Sequence, residues 1–244
     1  MKFTVIGPWG GYPAAGGASA SYILEKEDFL LLIDAGSSSL SKFQQIHDVM
    51  DLDAIIISHY HADHIADIGV FQHARLVYTY VTGEKKVLPI YGHEEDEIEF
   101  AKLSHDFTEG IAYNPKEILH IGPFQITFIK TVHSVPCYGM RITDGETTIV
   151  YTADTAYQDE WIDFAKGADL LVTDCNFYEN QNASESGHMN SKEAATIAEK
   201  ARVKQLLLSH LPQFGDQNLL VEQAKKYYSG PVLLAKEGLS WSKK

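Results

Sequence analysis

Apolar positions along the chain gather into short runs, each closed by a polar or glycine-rich stretch, and the runs alternate with segments of helical spacing. KFTVIG (2–7) reads as a first strand, and GPWGGYPAAGGASAS (7–21), rich in Gly, Ala and Ser, as a loop. SYILEKEDFLLLIDAG (21–36) predicts a hairpin turning at Glu25–Asp28. SSLSKFQQIHDVM (38–50) follows as a helix with serines available to cap it, and DLDAIIIS (51–58) as a buried strand. RLVYTY (75–80) and VLPIYG (87–92) read as strands, and EEDEIEFAKLSH (94–105) as a helix. β-Branched residues predict strands in FQITFIKTVHS (124–134) and on either side of Asp144-Gly145 in YGMRITDGETTIVYTAD (138–154). A short helix is expected over Asp159–Lys166, a buried strand in ADLLVTD (168–174) and a polar loop in NFYENQNASESGHM (176–189). NSKEAATIAEKA (190–201) is a helix whose Asn190 and Glu193 are spaced as a capping box. VKQLLLSHLP, NLLVEQAKKYYS and GPVLLAKEG complete the chain as strand, helix and strand. Strands alternating with helices, without a linker, imply one layered α/β domain over residues 1–244.

One pattern recurs. A short apolar strand ends and a His or Asp follows at once. AIIIS leads to His59, His61, Asp63 and His64; ITFIKTV to His133; TTIVYTA to Asp154; KQLLLS to His210. The apolar runs must be buried, so the polar groups just beyond them emerge at a sheet edge, where loops on a rigid scaffold form sites. Alternate residues leaving a strand share a face, so His59 and His61 suit one ion, while a bend near Ala62 aims Asp63 and His64 at a second. Each ion needs further ligands, and the chain offers His133, Asp154 and His210. Imidazole and carboxylate together suit zinc or a similar divalent first-row ion such as manganese. A lone histidine after a strand is usually a hydrogen-bonded loop residue, but no common packing role needs three imidazoles in HYHADH. His47, His73, His93, His105 and His120 lack that context and read as surface or core residues.

Composition narrows the setting. A hydrophobic fraction of 45% supplies a sizeable core, and no apolar run approaches a membrane span. The two cysteines, Cys137 and Cys175, do not make a disulfide framework, which points to a reducing cytoplasm. The net charge of −13 and the absence of a Lys/Arg cluster argue against a long nucleic-acid partner.

HYHADH resembles the H-x-H-x-D-H signature of the metallo-β-lactamase superfamily, and LLIDAG with Asp34, then His133, YTADT with Asp154, and LLLSHLP with His210 resemble its other motifs in order. The resemblance implies a four-layer αββα sandwich with two metal ions at one sheet edge. It implies His59, His61 and His133 on the first ion, Asp63, His64 and His210 on the second, and Asp154 bridging them. GPWGGYPAAGGASASYIL, HSVPCYGMRI and GHMNSKEAATIA are similar to the ribonuclease Z-like branch, which includes small phosphodiesterases, and His188 matches a histidine implicated there in contacting the scissile phosphate. A homodimer is a further expectation from that branch. Two departures stand out. Asp67 occupies a position that is glycine in many members, and there is no long basic insertion like the tRNA-clasping arm of ribonuclease Z, the segment Thr155–His188 being short and acidic.

The expected chemistry is hydrolysis by a hydroxide bridging two divalent ions, since a metal lowers the pKa of water from about 15.7 toward 7. Two such ions against Asp63, Asp154 and hydroxide leave the centre near one positive charge, which favours a small anionic substrate such as a cyclic or other small phosphodiester. Asp63 orients the nucleophile or takes its proton; His188 binds a phosphate oxygen or protonates the leaving group. Ser58 and Ser209 are expected to support the ligands or to pack, Asp34 to bond the ligand loop, and Trp9 and Tyr12 to pack or to stack on a flat group. Alternative readings are a tRNA 3′-end endoribonuclease, a lactone or thioester hydrolase and, least favoured because the ligand set is complete, a non-catalytic binding protein.

Overall fold

The computed structural model describes residues 1–243. Strands β1 (Lys2–Gly7), β2 (Ser21–Lys26), β3 (Phe29–Ile33), β4 (Ala54–Ile56), β5 (Leu88–Gly92) and β6 (Thr108–Ala112) lie side by side in one sheet. Strands β7 (Leu119–Ile121), β8 (Phe124–Lys130), β9 (Tyr138–Thr143), β10 (Thr148–Tyr151), β11 (Leu170–Asp174), β12 (Leu206–Ser209) and β13 (Val232–Leu234) form the second sheet. β14 (Ser240–Ser242) returns to the first sheet, antiparallel to β1. Helices α1 (Ser39–Phe43), α2 (Ala62–Ile65), α3 (Ile68–Thr82) and α4 (Glu97–Ala101) belong to the first half, and α5 (Glu160–Phe164), α6 (Ser191–Lys200) and α7 (Gln217–Ala224) to the second.

Strand periodicity explains the layers. In β3, Leu31 and Ile33 face the core between the sheets, while Leu30 and Leu32 face outward under α1 and α3. In β12, Leu207 faces inward, while Leu206 and Leu208 pack under α6 and α7. These strands are apolar on both faces because helices cover the outer one. The result is an α/β fold, a four-layer αββα sandwich. β3 to β6 run parallel, as do β10 to β13, so their carboxyl ends meet at common edges. Asp34, Ser58-His59, Asp154, Asp174 and His210 all sit at or just beyond such ends.

RLVYTY is not a strand; it lies inside α3. Ile68, Phe71, Gln72, Arg75 and Thr79 recur at helical spacing and face the sheet. The β-branched and aromatic residues that imitate a strand, Val70, Val77, Tyr80 and Val81, lie on the exposed face. Gly83, at φ 75°, ends the helix in the left-handed region that suits a residue without a Cβ. Three short strands, β6, β7 and β14, carried too little alternation to be expected. The helices anticipated at 38–50 and 94–105 shrink to the single turns α1 and α4. The Asn190/Glu193 capping box is present. Among the described residues no helix is long and apolar enough to cross a membrane.

Asp67 shows why this chain departs from glycine there. Its carboxylate accepts from Ser38 N at 3.1 Å, Leu40 N at 2.9 Å and Ser39 Oγ at 3.4 Å, which gives the open start of α1 the acceptors its own residues do not supply. Asp67→Ala should lower stability by about 1–2 kcal/mol, the range of a lost helix cap, and leave metal content unchanged. Urea unfolding of the two proteins measures the difference.

Candidate metal centre

Asp34 is fully buried just past β3 and adopts the left-handed region at φ 56°. Its carboxylate accepts from Ser58 N, Ser58 Oγ and Tyr151 Oη, and it contacts His64 Nδ1, each at 2.8 Å. Oδ1 takes the Ser58 amide and Oδ2 the other three contacts, so both oxygens of the carboxylate are engaged. One side chain therefore ties together β3, the exit of β4, α2 and β10. Ser209, expected to support a ligand or to pack, takes the second role and bonds Tyr22 Oη at 2.7 Å.

These contacts dictate which imidazole nitrogens remain free. Ser58 spends its proton on Asp34, so it accepts from His59 Nδ1 at 3.0 Å, and His59 Nε2 is left buried without a partner. His133 Nδ1 donates to Gly187 O at 2.9 Å and frees its Nε2. Gly187 is required here: at φ 73°, a Cβ would stand 2.8 Å from His133 Nδ1. His64 is fixed by Asp34 and frees its own Nε2. Such hydrogen bonds behind a ligand set its tautomer and aim.

The freed atoms form two groups that share Asp154. In the first, His59 Nε2 and His133 Nε2 lie 3.6 and 3.7 Å from Asp154 Oδ2, and His61 Nδ1 lies 3.0 Å from His133 Nε2. In the second, His64 Nε2 and His210 Nε2 each lie 3.2 Å from Asp154 Oδ1 and 3.4 Å from one another. Asp63 Oδ2 is 3.1 Å from His210 Nε2 and 3.5 Å from His64 Nε2. All seven residues singled out in the sequence are thus brought together, with one Asp154 oxygen facing each group. A tetrahedral ion bound at about 2.0–2.1 Å holds its ligand atoms about 3.3 Å apart, and the separations here straddle that value. Asp154 Oδ1 and His59 Nε2 are buried without hydrogen-bond partners, as atoms waiting for a cation would be. The donor set and its spacing fit divalent ions.

Charge points the same way. Among the described residues, Asp34, Asp63, Asp154 and Asp174 make ion pairs only with histidines. Burial works to raise the Asp154 carboxyl, but His210 and His64 hold it well below the usual range. Asp63 is held low in the same way by His64 and His210, against its burial. Burial opposes a proton on His210, yet Asp154 and Asp174 lift its pKa to about 10. His64 is raised likewise by Asp154, Asp63 and Asp34. His59, by contrast, is pushed well down by burial and by His64. Without ions, protons on His64 and His210 balance the carboxylates, and cations would take their place.

Asp174 was not singled out in the sequence, although it closes ADLLVTD in the same strand-then-acid pattern as Asp154. Its Oδ2 accepts from His188 Nδ1 at 2.8 Å and from Thr155 N at 3.2 Å, and its Oδ1 lies 3.5 Å from His210 Nδ1. The His188 ring lies 5.2 Å from that of His210 and 5.3 Å from that of His133, at the rim of both groups. Burial disfavours its charge, but Asp174 overrides burial and raises its pKa. His93 is buried elsewhere, its Nε2 donating to Pro136 O at 3.0 Å. Trp9 packs into the outer core of the second sheet with Leu211, while Tyr12 is exposed.

Comparison with known proteins agrees with this geometry. The model of a family described as the β-lactamase superfamily domain matches residues 30–211, and the chain belongs to the metallo-β-lactamase superfamily. It is 50% identical to the probable metallo-hydrolase YhfI of Bacillus subtilis (strain 168) over 242 residues, 99% of each chain. The crystal structure of that protein superposes with a TM-score of 0.97 over 98% of both chains. A ribonuclease Z of Metallosphaera sedula is 28% identical over 291 residues, covering 99% of this chain and 98% of the relative. The crystal structure of a diphosphatase from the PhnP family shares the fold, with TM-score 0.77 and 21% identity over 100% of this chain and 98% of that one. The chain is accordingly a metallo-hydrolase of this fold, with a His/Asp cluster able to bind metal ions.

Asp34→Asn should weaken metal binding about 10- to 100-fold, because the amide offers Ser58, Tyr151 and His64 one acceptor oxygen in place of two. Competition with a chromophoric chelator measures the loss; unchanged affinity would remove Asp34 from this role.

Proposed function

We propose that the chain is a phosphodiesterase of small or cyclic diesters that works with two divalent ions, zinc by the donor chemistry. His59, His61, His133 and Asp154 Oδ2 hold one; Asp63, His64, His210 and Asp154 Oδ1 hold the other. Such a pair supplies a low-pKa water and stabilises charge on both the attacking and leaving oxygens of an in-line displacement. The observation that carries the choice of phosphodiester is the Asp174–His188 contact. Two divalent ions against Asp63, Asp154 and hydroxide leave the centre one charge positive, and buried Asp34 and Asp174 take the sum to one charge negative. Protonated His188 returns the sum to about zero and places its positive charge at the rim, where an anionic substrate would meet it.

His188 Nδ1 is engaged by Asp174, so Nε2 is the nitrogen available to a substrate. It binds a phosphoryl oxygen or protonates the departing alkoxide, while Asp63, across the centre, accepts the proton of the attacking water. A carbonyl substrate has less use for a cationic donor there. Size and charge support a small diester over a polynucleotide. A cavity of about 190 Å³ is lined by Tyr60, which lies between His59 and His61 in the chain, with His93, Asp96, Glu99, Val135 and Pro136, and its carboxylates disfavour a chain of phosphates.

The same reading includes a second copy of the chain as partner. The outer face of α3 leaves Tyr80 74% and Val81 79% exposed beside Val70 and Val77, with no acidic residue between Asp67 and Glu84. Two acidic chains can meet on this face without opposing carboxylates, and contiguous apolar patches of this kind mark contact surfaces. Light scattering should report a dimer that Val81→Glu converts to a monomer; a monomeric wild type would exclude this face as a self-association surface.

His61→Ala or Asp154→Ala should abolish metal-dependent hydrolysis of a chromogenic phosphodiester. His188→Ala should lower kcat by about 10²–10⁴ with metal content unchanged. Because the raised His188 pKa keeps the acid form populated above the ordinary histidine value, the wild-type rate should fall only as pH rises through that higher pKa. The alanine variant should lose this alkaline limb. A panel of cyclic nucleotides, a lactone, a thioester and precursor tRNA tests the class, and preferential turnover of the lactone, thioester or tRNA would overturn it.

A further inference from the structure

The glycine-rich loop after β1 reaches the centre by its backbone alone. Gly11 N donates to Asp63 Oδ2 at 2.6 Å, the same oxygen that faces His210 and His64. Gly10 lies flat against His210: a Cβ there would stand 2.4 Å from His210 Nδ1, so no other residue permits the approach. Gly11, at φ 72°, is the centre of a tight turn in which Tyr12 N donates to Gly10 O at 2.8 Å. Two glycines leave this turn many backbone conformations to choose from, and its inner end is held to the sheet edge by Gly10 N donating to Leu211 O and Leu211 N to Pro8 O. Its outer end is held by one side chain. Gln213 Nε2 donates to both Gly10 O and Tyr12 O, spanning the turn. Gln213 is three residues past His210, so the anchor and the ligand belong to one short stretch of chain.

We propose that Gln213 is a positioning residue for Asp63. By clamping Gly10 and Tyr12 it fixes the Gly11 N–H, and that donor sets the rotation of the Asp63 carboxylate toward the second metal position. The contacts close a ring: Gln213 to the turn, the turn to Asp63, Asp63 to His210, and His210 along the chain to Gln213. Opening the ring at Gln213 leaves every candidate ligand in place but frees Asp63 to turn. This inference rests on the reading of Asp63 and His210 as ligands of the second ion.

The test compares the full chain with Gln213→Ala, Gln213→Glu and Gln213→Lys. The ion-free proteins are titrated with zinc against a chelator, and kcat and KM are measured on a chromogenic phosphodiester. Alanine removes the donor, and glutamate of the same shape opposes both carbonyl oxygens. Both should weaken the second zinc about tenfold or more while sparing the first, as loss of a ligand's outer partner does. Both should also lower kcat with KM little changed. Lysine, whose ammonium can donate to both carbonyls, should recover most of the second affinity. Equal second-site affinity in wild type, alanine and glutamate variants overturns the proposal, as does equal weakening of both sites or failure of lysine to rescue. If the wild type binds two ions but cleaves no phosphodiester, the proposed function fails and the zinc titration alone decides Gln213. A wild type that takes up fewer than two ions overturns both.

Discussion

Four carboxylates, those of Asp34, Asp63, Asp154 and Asp174, are drawn out of water within one site, and among the described residues their only ion-pair partners are imidazoles. Burying a charge without compensation is among the most unfavourable acts a fold can perform. The arrangement persists because fixed backbone and side-chain donors meet Asp34, Asp63 and Asp174, and because the imidazoles around Asp154 can release their protons when a divalent cation binds. Asp34 is the centre of this solution. Both of its oxygens are engaged, so it acts as a rivet between the two sheets, holding Ser58 and His64 from one and Tyr151 from the other.

The sandwich supplies the stiffness this requires. Parallel strands in both sheets deliver their carboxyl ends to one edge, and the helices that make parallel pairing possible seal the outer faces. Backbone strain concentrates where the strands end. Asp34, Ala153 and His210 are three of the six non-glycine residues in the left-handed region. Such residues persist only where surrounding structure over-determines them, and they gather at functional sites. Here the strain turns the chain sharply at the strand ends, so that Asp34, the neighbouring Asp154 and His210 face the centre.

A shared fold leaves the substrate open, and the proteins similar to this chain illustrate it, being described as a ribonuclease, a diphosphatase and a hydrolase of no stated substrate. What individualises a site on such a frame lies outside the shared ligands. In this chain the groups around the cluster include the Asp174–His188 pair, the acidic cavity beside Tyr60 and the glycine turn clamped by Gln213.

Much of this was legible in the chain itself. Buried strands announced themselves as apolar runs, and the histidines and aspartates that follow them marked the candidate centre, because a polar group directly after a buried strand has little choice but to emerge at a sheet edge. The misreading at RLVYTY has an equally local cause: its β-branched and aromatic residues are those of a strand, and only the sheet beneath α3 selects the helical face of Phe71, Arg75 and Thr79. Asp174 had the right signal but no neighbouring cluster to raise it above the background. By itself, then, the sequence determined which residues must leave the core together and the kind of ion they suit. Only the tertiary structure decided which Asp154 oxygen faces which group, which nitrogen of each histidine is free, that Gly11 touches the centre and that Gln213 clamps its turn. Those facts depend on contacts between residues as much as 203 positions apart, such as Gln213 on Gly10, and no local pattern encodes them.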